Sequence, residues 1–268
     1  MTCIRGRVRP AVHRWRKSIP VSKLYEAARW WCRAIEIPVD SFSETGEEWL
    51  VTRAATLGVK GVVFDVGANI GEWSEMVLKL WPAAHIHAFE IVPKTAVSLK
   101  KRFGYDDQVT VNVFGLGPAD SHIDIKYYPG RPKMAGFLIE YPQPEAYEII
   151  TGELRRGSDY VSENGIEEIA LLKIDTEGAE HLVLQGLREL LEHQRIKIIQ
   201  FEYGRANILT RFLLKDFYEM LEPMGYKLGK LFNDGVAFKS YELGDEDFTG
   251  PNYVAALDSI ADALAVKS

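Results

Sequence analysis

Cysteine is nearly missing from this chain of 268 residues: Cys3 and Cys32 are the two it has, in no metal-binding or redox spacing. A disulfide between them would staple only the N-terminal arm. The body has no cysteine, which excludes thiolate catalysis there and suits a reducing, cytoplasmic setting. Long apolar runs are missing as well. The longest stretch free of Asp, Glu, Lys and Arg runs from Gln108 to Ala119, and a membrane span needs about 20 apolar residues. Internal repeats and low-complexity linkers are also missing. With 47% hydrophobic and 26% charged residues, the composition is that of an ordinary globular α/β domain with a short appendage, not a disordered or collagenous chain.

Charge is unevenly placed. Residues 1–33 carry nine Lys or Arg against one acid, Glu26, while the whole chain has a net charge of −6. The body is therefore strongly acidic, which argues against nucleic acid as a partner. The basic start has no apolar segment behind it, so it does not read as a secretory signal. It reads as a solvated arm, with peripheral contact to an anionic membrane surface as the functional alternative.

Periodicity orders the rest. Residues 21–36 place Leu24, Ala27, Ala28, Trp31, Ala34 and Ile35 at helical spacing, and the Trp30–Trp31 pair reads as helix packing. A second helix is expected from Thr45, through a capping box with Glu48, to Gly58. These form a helical extension over 1–59, ahead of a catalytic domain over 60–268. From residue 60, short apolar strands (61–66, 85–89, 109–114, 169–174 and 196–201) alternate with helices, including 179–193 and 213–224. His122–Tyr127 alternates, and Tyr128–Tyr160 reads as irregular. Residues 226–232 and 236–240, around Asn233-Asp234-Gly235, read as a hairpin. The expected fold is a doubly wound, mainly parallel sheet with an antiparallel C-terminal hairpin and N-terminal helices. Its ligand should sit at the carboxyl ends of the strands, near the reversal of strand order.

The first strand ends in Phe64-Asp65-Val66-Gly67-Ala68-Asn69-Ile70-Gly71. Glycines here let the backbone turn sharply and approach a ligand. A dinucleotide fingerprint needs glycine where Asn69 and Glu72 stand. A pyrophosphate would also face Asp65 and Glu72, which repel it. A cationic ligand is favoured instead, and S-adenosylmethionine fits. Glu90, ending the second strand, is placed to accept ribose hydroxyls or, alternatively, to cap the next helix. Lys173 and Asp175 share one strand face, with Asp175 at the carboxyl end. There it is either a site residue or, with Glu177, a partner for amides at the helix entry.

These residues resemble the FkbM-type S-adenosylmethionine-dependent methyltransferases from about residue 60 to residue 256. The resemblance rests on 64–71, on Ala-Phe-Glu at 88–90, and on Leu-Leu-Lys-Ile-Asp-Thr-Glu-Gly-Ala-Glu at 171–180. Gly-Ile-Glu-Glu-Ile at 165–169, Phe-Glu-Tyr at 201–203 and Pro-Asn-Tyr-Val-Ala at 251–255 add weaker support. It implies a class I methyltransferase fold and O-methylation of a hydroxyl on a sugar, glycolipid or polyketide-type acceptor. The candidate cofactor-binding set is Asp65, Gly67, Ala68, Asn69, Gly71, Glu90, Ile91 and Leu116. The candidate catalytic set is Asp175, Lys173 and Glu202. Asp175 or Glu202 would accept the hydroxyl proton. A divalent metal between two such acids is the alternative, and no metal ligands are assigned.

Two further groups stay open. His181, within the first turn of a helix, is a secondary candidate base, whereas His85 and His87 read as packed or solvated. Arg131, Lys133, Arg155 and Arg156 would meet an anionic acceptor or serve as plain surface charge.

Overall fold

The computed structural model describes residues 23, 41–128, 147–248, 250 and 252–267. The chain divides into two compact units, Met1–Pro38 and Val39–Ser268. Apart from residue 23, the helix expected over 21–36 and the basic arm lie outside the described residues, as do Arg131 and Lys133.

Eight strands of the second unit form one sheet. Five are mutually parallel: β1 (Val62–Val66), β2 (Ile86–Phe89), β3 (Val109–Asn112), β7 (Ile169–Ile174) and β8 (Ile196–Glu202). β9 (Tyr226–Phe232), β10 (Gly235–Phe238) and β11 (Asn252–Leu257) complete it, in the order β10-β9-β11-β8-β7-β1-β2-β3. A smaller sheet joins β4 (Gly115–Gly117), β5 (Ser121–Tyr127) and β6 (Glu148–Arg156) in the order β4-β6-β5. The winding reverses between β1 and β7. From there β2 and β3 run one way and β8 the other. This is the doubly wound α/β fold of class I methyltransferases.

Burial on both faces explains why the central strands lack strict alternation: all six residues of β7 are buried. One face packs Leu50 and Val51 of α1 (Glu47–Thr56), Trp73 and Val77 of α2 (Glu72–Leu80), and Leu99 of α3 (Pro93–Phe103) against Leu171 and Ile198. The other packs Tyr160 of α4 (Gly157–Glu163), Val183 of α5 (Glu180–Gly186) and Leu191 of α6 (Arg188–Glu192) against Leu172 and Ile174. Phe217 of α8 (Leu214–Leu221) joins that second face, and α7 (Ala206–Thr210) precedes it. The final helix, α9 (Asp258–Leu264), sends Ala261 and Leu264 to the first face.

Several expectations need correction. The hairpin forms, but β11 inserts between it and β8, antiparallel to both β8 and β9. The stretch read as irregular contains β6 and α4. The helix expected over 179–193 is broken in two. There the Gly186 carbonyl accepts a hydrogen bond from Ser158 Oγ at 2.9 Å, which diverts it from a helical partner. The capping box does not form either. α1 starts at Glu47, and the Thr45 hydroxyl turns to the Phe42 carbonyl (3.3 Å) and to Glu47 Oε2 (2.6 Å). α1 itself packs within the Val39–Ser268 unit.

Candidate active site

Strand register builds the site. Asp65 of β1 is level with Lys173 of β7, and Lys173 is level with Gln200 of β8. Level residues on adjacent strands share a sheet face, so one polar row crosses the three central strands. Lys173 Nζ lies 3.5 Å from Asp65 Oδ1 and 3.2 Å from Asp175 Oδ2, and 5.6 Å from the centre of the Trp73 ring. Ser74 Oγ donates to Asp65 Oδ2 at 2.7 Å. Burial alone would lower the Lys173 pKa, but Asp175, then Asp65, then Glu47 outweigh it and hold the ammonium above the ordinary lysine range.

Of the two carboxylates touching Lys173, Asp65 is fully buried and Asp175 has a side chain 42% exposed. Asp175 is therefore the member open to a ligand. Its turn does not need it as a cap. Glu180 Oε1 accepts hydrogen bonds from the Thr176 and Gly178 amides, each at 3.0 Å, and from Thr176 Oγ1 at 3.1 Å. Glu177 sits at φ 54°. Burial, then Asp175 and Glu180, push its carboxyl up to about 8. Burial, and then the charges of Asp175, Glu177 and Glu180, raise the Glu202 carboxyl well above the ordinary carboxylate range.

Glu90 plays the capping role and faces the glycine turn. Its Oε1 accepts the Val92 amide at 2.7 Å, at the start of α3, and its Oε2 accepts the Asn69 amide at 2.8 Å. Burial pushes this carboxyl up to about 7 despite those two bonds. Each oxygen keeps a second lone-pair site. Ala68 and Gly67 donate their amides to the Phe89 carbonyl at 2.9 and 3.0 Å, which ties the turn to β2. Asn69, at φ 51°, has a buried Oδ1 with no hydrogen-bond partner.

Gly67 is required by the protein itself. At φ +85°, a Cβ there would stand 1.8 Å from the Asp175 carbonyl oxygen. This close approach of two strand ends is a requirement for glycine independent of any ligand. A Cβ on Gly71 would likewise meet the Phe103 ring, at 2.4 Å. Asp65, Asn69, Glu90, Lys173, Asp175 and Glu202 thus gather at the carboxyl ends of β1, β2, β7 and β8. Leu116 does not join them: it is buried in the core cluster of the opposite face. Ile91 lies against the Cα atoms of Gly115 and Gly152, linking the two sheets.

The remaining candidates serve packing. His181 stacks on Phe212 with ring centres 4.6 Å apart, and burial lowers its pKa. His87 Nδ1 bonds to Tyr160 Oη at 2.7 Å, and burial takes its pKa to about 4. Arg155 pairs with Glu163 at 2.6 Å and lies over the Phe114 ring. Arg156 pairs with Asp159 at 2.8 Å and with Glu189, so neither arginine is a free anion receptor. Among the described residues, no group of three His, Cys, Asp or Glu side chains is arranged to hold a metal.

Glu47, Gln200 and Asn252 were not read from the sequence as site neighbours. Gln200 Nε2 donates to Glu47 Oε1 at 2.8 Å and to Asn252 Oδ1 at 3.2 Å, all three buried. One signal was available: a glutamine inside Ile-Lys-Ile-Ile-Gln-Phe-Glu needs a buried partner.

Residues 65–228 match the Methyltransferase FkbM domain family. The chain belongs to the FkbM methyltransferase family. Among curated relatives, the 2-O-methyltransferase NoeI of Sinorhizobium fredii is 30% identical over 159 residues, covering 53% of this chain and 63% of that protein. The 31-O-demethyl-FK506 methyltransferase FkbM of Streptomyces tacrolimicus is 29% identical over 156 residues, covering 48% and 60%. The chain thus spans less than two thirds of the length of either relative. A crystal structure of a methyltransferase FkbM from Methylobacillus flagellatus aligns with a TM-score of 0.46 at 16% identity, covering 73% of this chain and 43% of that one. This FkbM-family chain has no described helix long and apolar enough to cross a membrane.

Proposed function

We propose that this FkbM-family protein transfers a methyl group from S-adenosylmethionine to a hydroxyl oxygen of a sugar, glycolipid or polyketide-type small molecule. The observation that carries the reading is Asp175, half-exposed at the reversal of strand order and paired with the buried Lys173. The residues present fit the cofactor. A partnerless buried acceptor, Asn69 Oδ1, and carboxylates in excess over one ammonium favour a cation over a pyrophosphate. The names of the two curated relatives support O-methylation.

Bound S-adenosylmethionine supplies a methyl group already activated by a positive sulfur. Asn69 meets the polar end of the donor, Asp65 adds its charge from the buried row behind it, and the two Glu90 oxygens accept from the ribose. Asp175 accepts the acceptor hydroxyl's proton at Oδ1, the oxygen turned away from Lys173. Lys173 orients that carboxylate, and Glu202 is the second acid that could take the proton. The chain's remaining task is to align the acceptor oxygen and keep water out.

Calorimetric titration with S-adenosylmethionine, S-adenosylhomocysteine and NAD tests the reading. The first two should bind at one site per chain and NAD should not. Binding of NAD alone would replace methyl transfer with dinucleotide chemistry.

A further inference from the structure

One buried carboxylate, linked to the Lys173 row through Gln200, comes from outside the region that matches the family. Glu47, the first residue of α1, is 6% exposed. Thr45 Oγ1 donates to one of its oxygens at 2.6 Å and Gln200 Nε2 to the other at 2.8 Å. Burial raises this carboxyl's pKa, and Lys173, then the Thr45 and Gln200 contacts, oppose the rise by favouring its ionised form. The start of α1 is fixed as well. Gly46, at φ +83°, lies so close to the β9–β10 hairpin that a Cβ would stand 2.3 Å from the Phe232 carbonyl oxygen. Gln200, which holds Glu47, is level with Lys173 in the strand register, is fully buried, and keeps an Oε1 without a hydrogen-bond partner.

Charge now decides what the arrangement does. Three carboxylates, Glu47, Asp65 and Asp175, act on one ammonium, Lys173. Glu47 and Asp65 pull on it from the protein interior, and Asp175 alone faces solvent. We propose that Glu47 is a positioning residue of the methyl-donor site. By sharing Lys173, it leaves Asp175 incompletely neutralised, so that the site favours a cationic sulfonium over the neutral thioether left after transfer. The segment preceding the family's domain thereby helps the spent donor exchange for a fresh one. This inference rests on the S-adenosylmethionine reading above.

Binding, not turnover, provides the test. S-adenosylmethionine and S-adenosylhomocysteine are titrated calorimetrically into the full chain, wild type and Glu47→Gln. The substitution keeps the side-chain length and the Gln200 bond but removes the charge. Affinity for S-adenosylmethionine should fall about tenfold and affinity for S-adenosylhomocysteine less than about twofold. Equal losses for both ligands would reduce Glu47 to a structural role and overturn the proposal, as would no change in either. Gln200→Leu, which removes the donor holding Glu47, should shift the same ratio in the same direction. An unchanged ratio there overturns the proposal even if Glu47→Gln does not fold. Failure of the wild type to bind either ligand would sink the methyl-donor reading itself, an outcome distinct from equal losses.

Discussion

Gly67 and Asp175 meet backbone to backbone: a Cβ on the glycine would lie 1.8 Å from the aspartate's carbonyl oxygen. The Asp175 amide also donates to the Val66 carbonyl at 3.0 Å. The glycine turn and the block that supplies the proposed base are thus one closed unit, and neither strand end can move without the other. Gly67→Ala should therefore destabilise the fold by about 3 kcal/mol or more, through a backbone clash at a left-handed φ. Gly204→Ala, where a Cβ meets nothing within 4 Å, should be nearly neutral. Urea midpoints of the two variants check this. Equal midpoints would mean that the contact relaxes at no cost.

Stability should fall as pH rises above neutrality. The folded-state pKa values of Glu90 and Glu177 stand at about 7 and about 8, above the ordinary 4.5. Between 4.5 and 8 the folded state therefore binds protons that the unfolded state has released. With more protons on the native side, unfolding free energy decreases with pH across that window. The lowered pKa values of His87 and His181 act with the opposite sign, but only below 6.5. From pH 6.5 to 8.5 the expected loss is about 3 kcal/mol, read from urea midpoints of the ligand-free protein. Glu177→Gln should remove most of the slope. A midpoint that rises over this interval would contradict it.

Much of this was legible in the sequence because burial writes itself into strands. Ile169–Ile174 and Ile196–Phe201 are continuous apolar runs, and the five parallel strands lie close to where those runs predict. β6 escaped because Glu148, Ile149, Glu153 and their neighbours are exposed on a small side sheet, with a single fully buried position in nine. β11 escaped for a different reason. Asn252–Leu257 is buried throughout and strand-like, but nothing local says that it returns to sit between β8 and β9. The site residues on strand ends were readable from spacing. Glu47 was not, since a glutamate in a helix's first turn normally faces water, and only the docking of α1 turns it inward. Similarly, no local pattern distinguishes Arg155 and Arg156, already paired with acids, from free cations.

Ribose binding by Glu90 makes a pH-dependent prediction. Its carboxyl titrates at about 7 in the free protein, and ribose hydroxyls donate to the ionised form. Affinity for S-adenosylmethionine should therefore increase several-fold from about pH 5.5 to about pH 7, where the ligand's own α-ammonium stays largely protonated. Glu90→Gln should flatten the profile and weaken binding at pH 7.5, because charge-assisted bonds of about 1.5–3 kcal/mol each are lost. Part of the loss will be conformational, since the Val92 and Asn69 amides lose an anionic acceptor. The flattening separates the two effects. A variant with weaker binding but the wild-type pH slope would leave Glu90 as a cap alone.

Asp175 carries the sharpest prediction for turnover. Asp175→Asn keeps the size of the side chain and one acceptor for Lys173, and loses the group that takes the proton. Turnover should fall about 10²–10⁴-fold, while donor affinity falls far less. The acceptor must first be found by screening hydroxylated sugars and lipid-linked sugars with labelled S-adenosylmethionine. EDTA then divides two roles for the same carboxylate. Activity indifferent to the chelator is expected for direct proton transfer, whereas loss in EDTA restored by Mg²⁺ would make Asp175 a metal ligand. Wild-type turnover by Asp175→Asn would remove both roles. Glu202, at the end of β8, would then be the next residue to mutate, ahead of His181, whose ring is stacked on Phe212 with a lowered pKa.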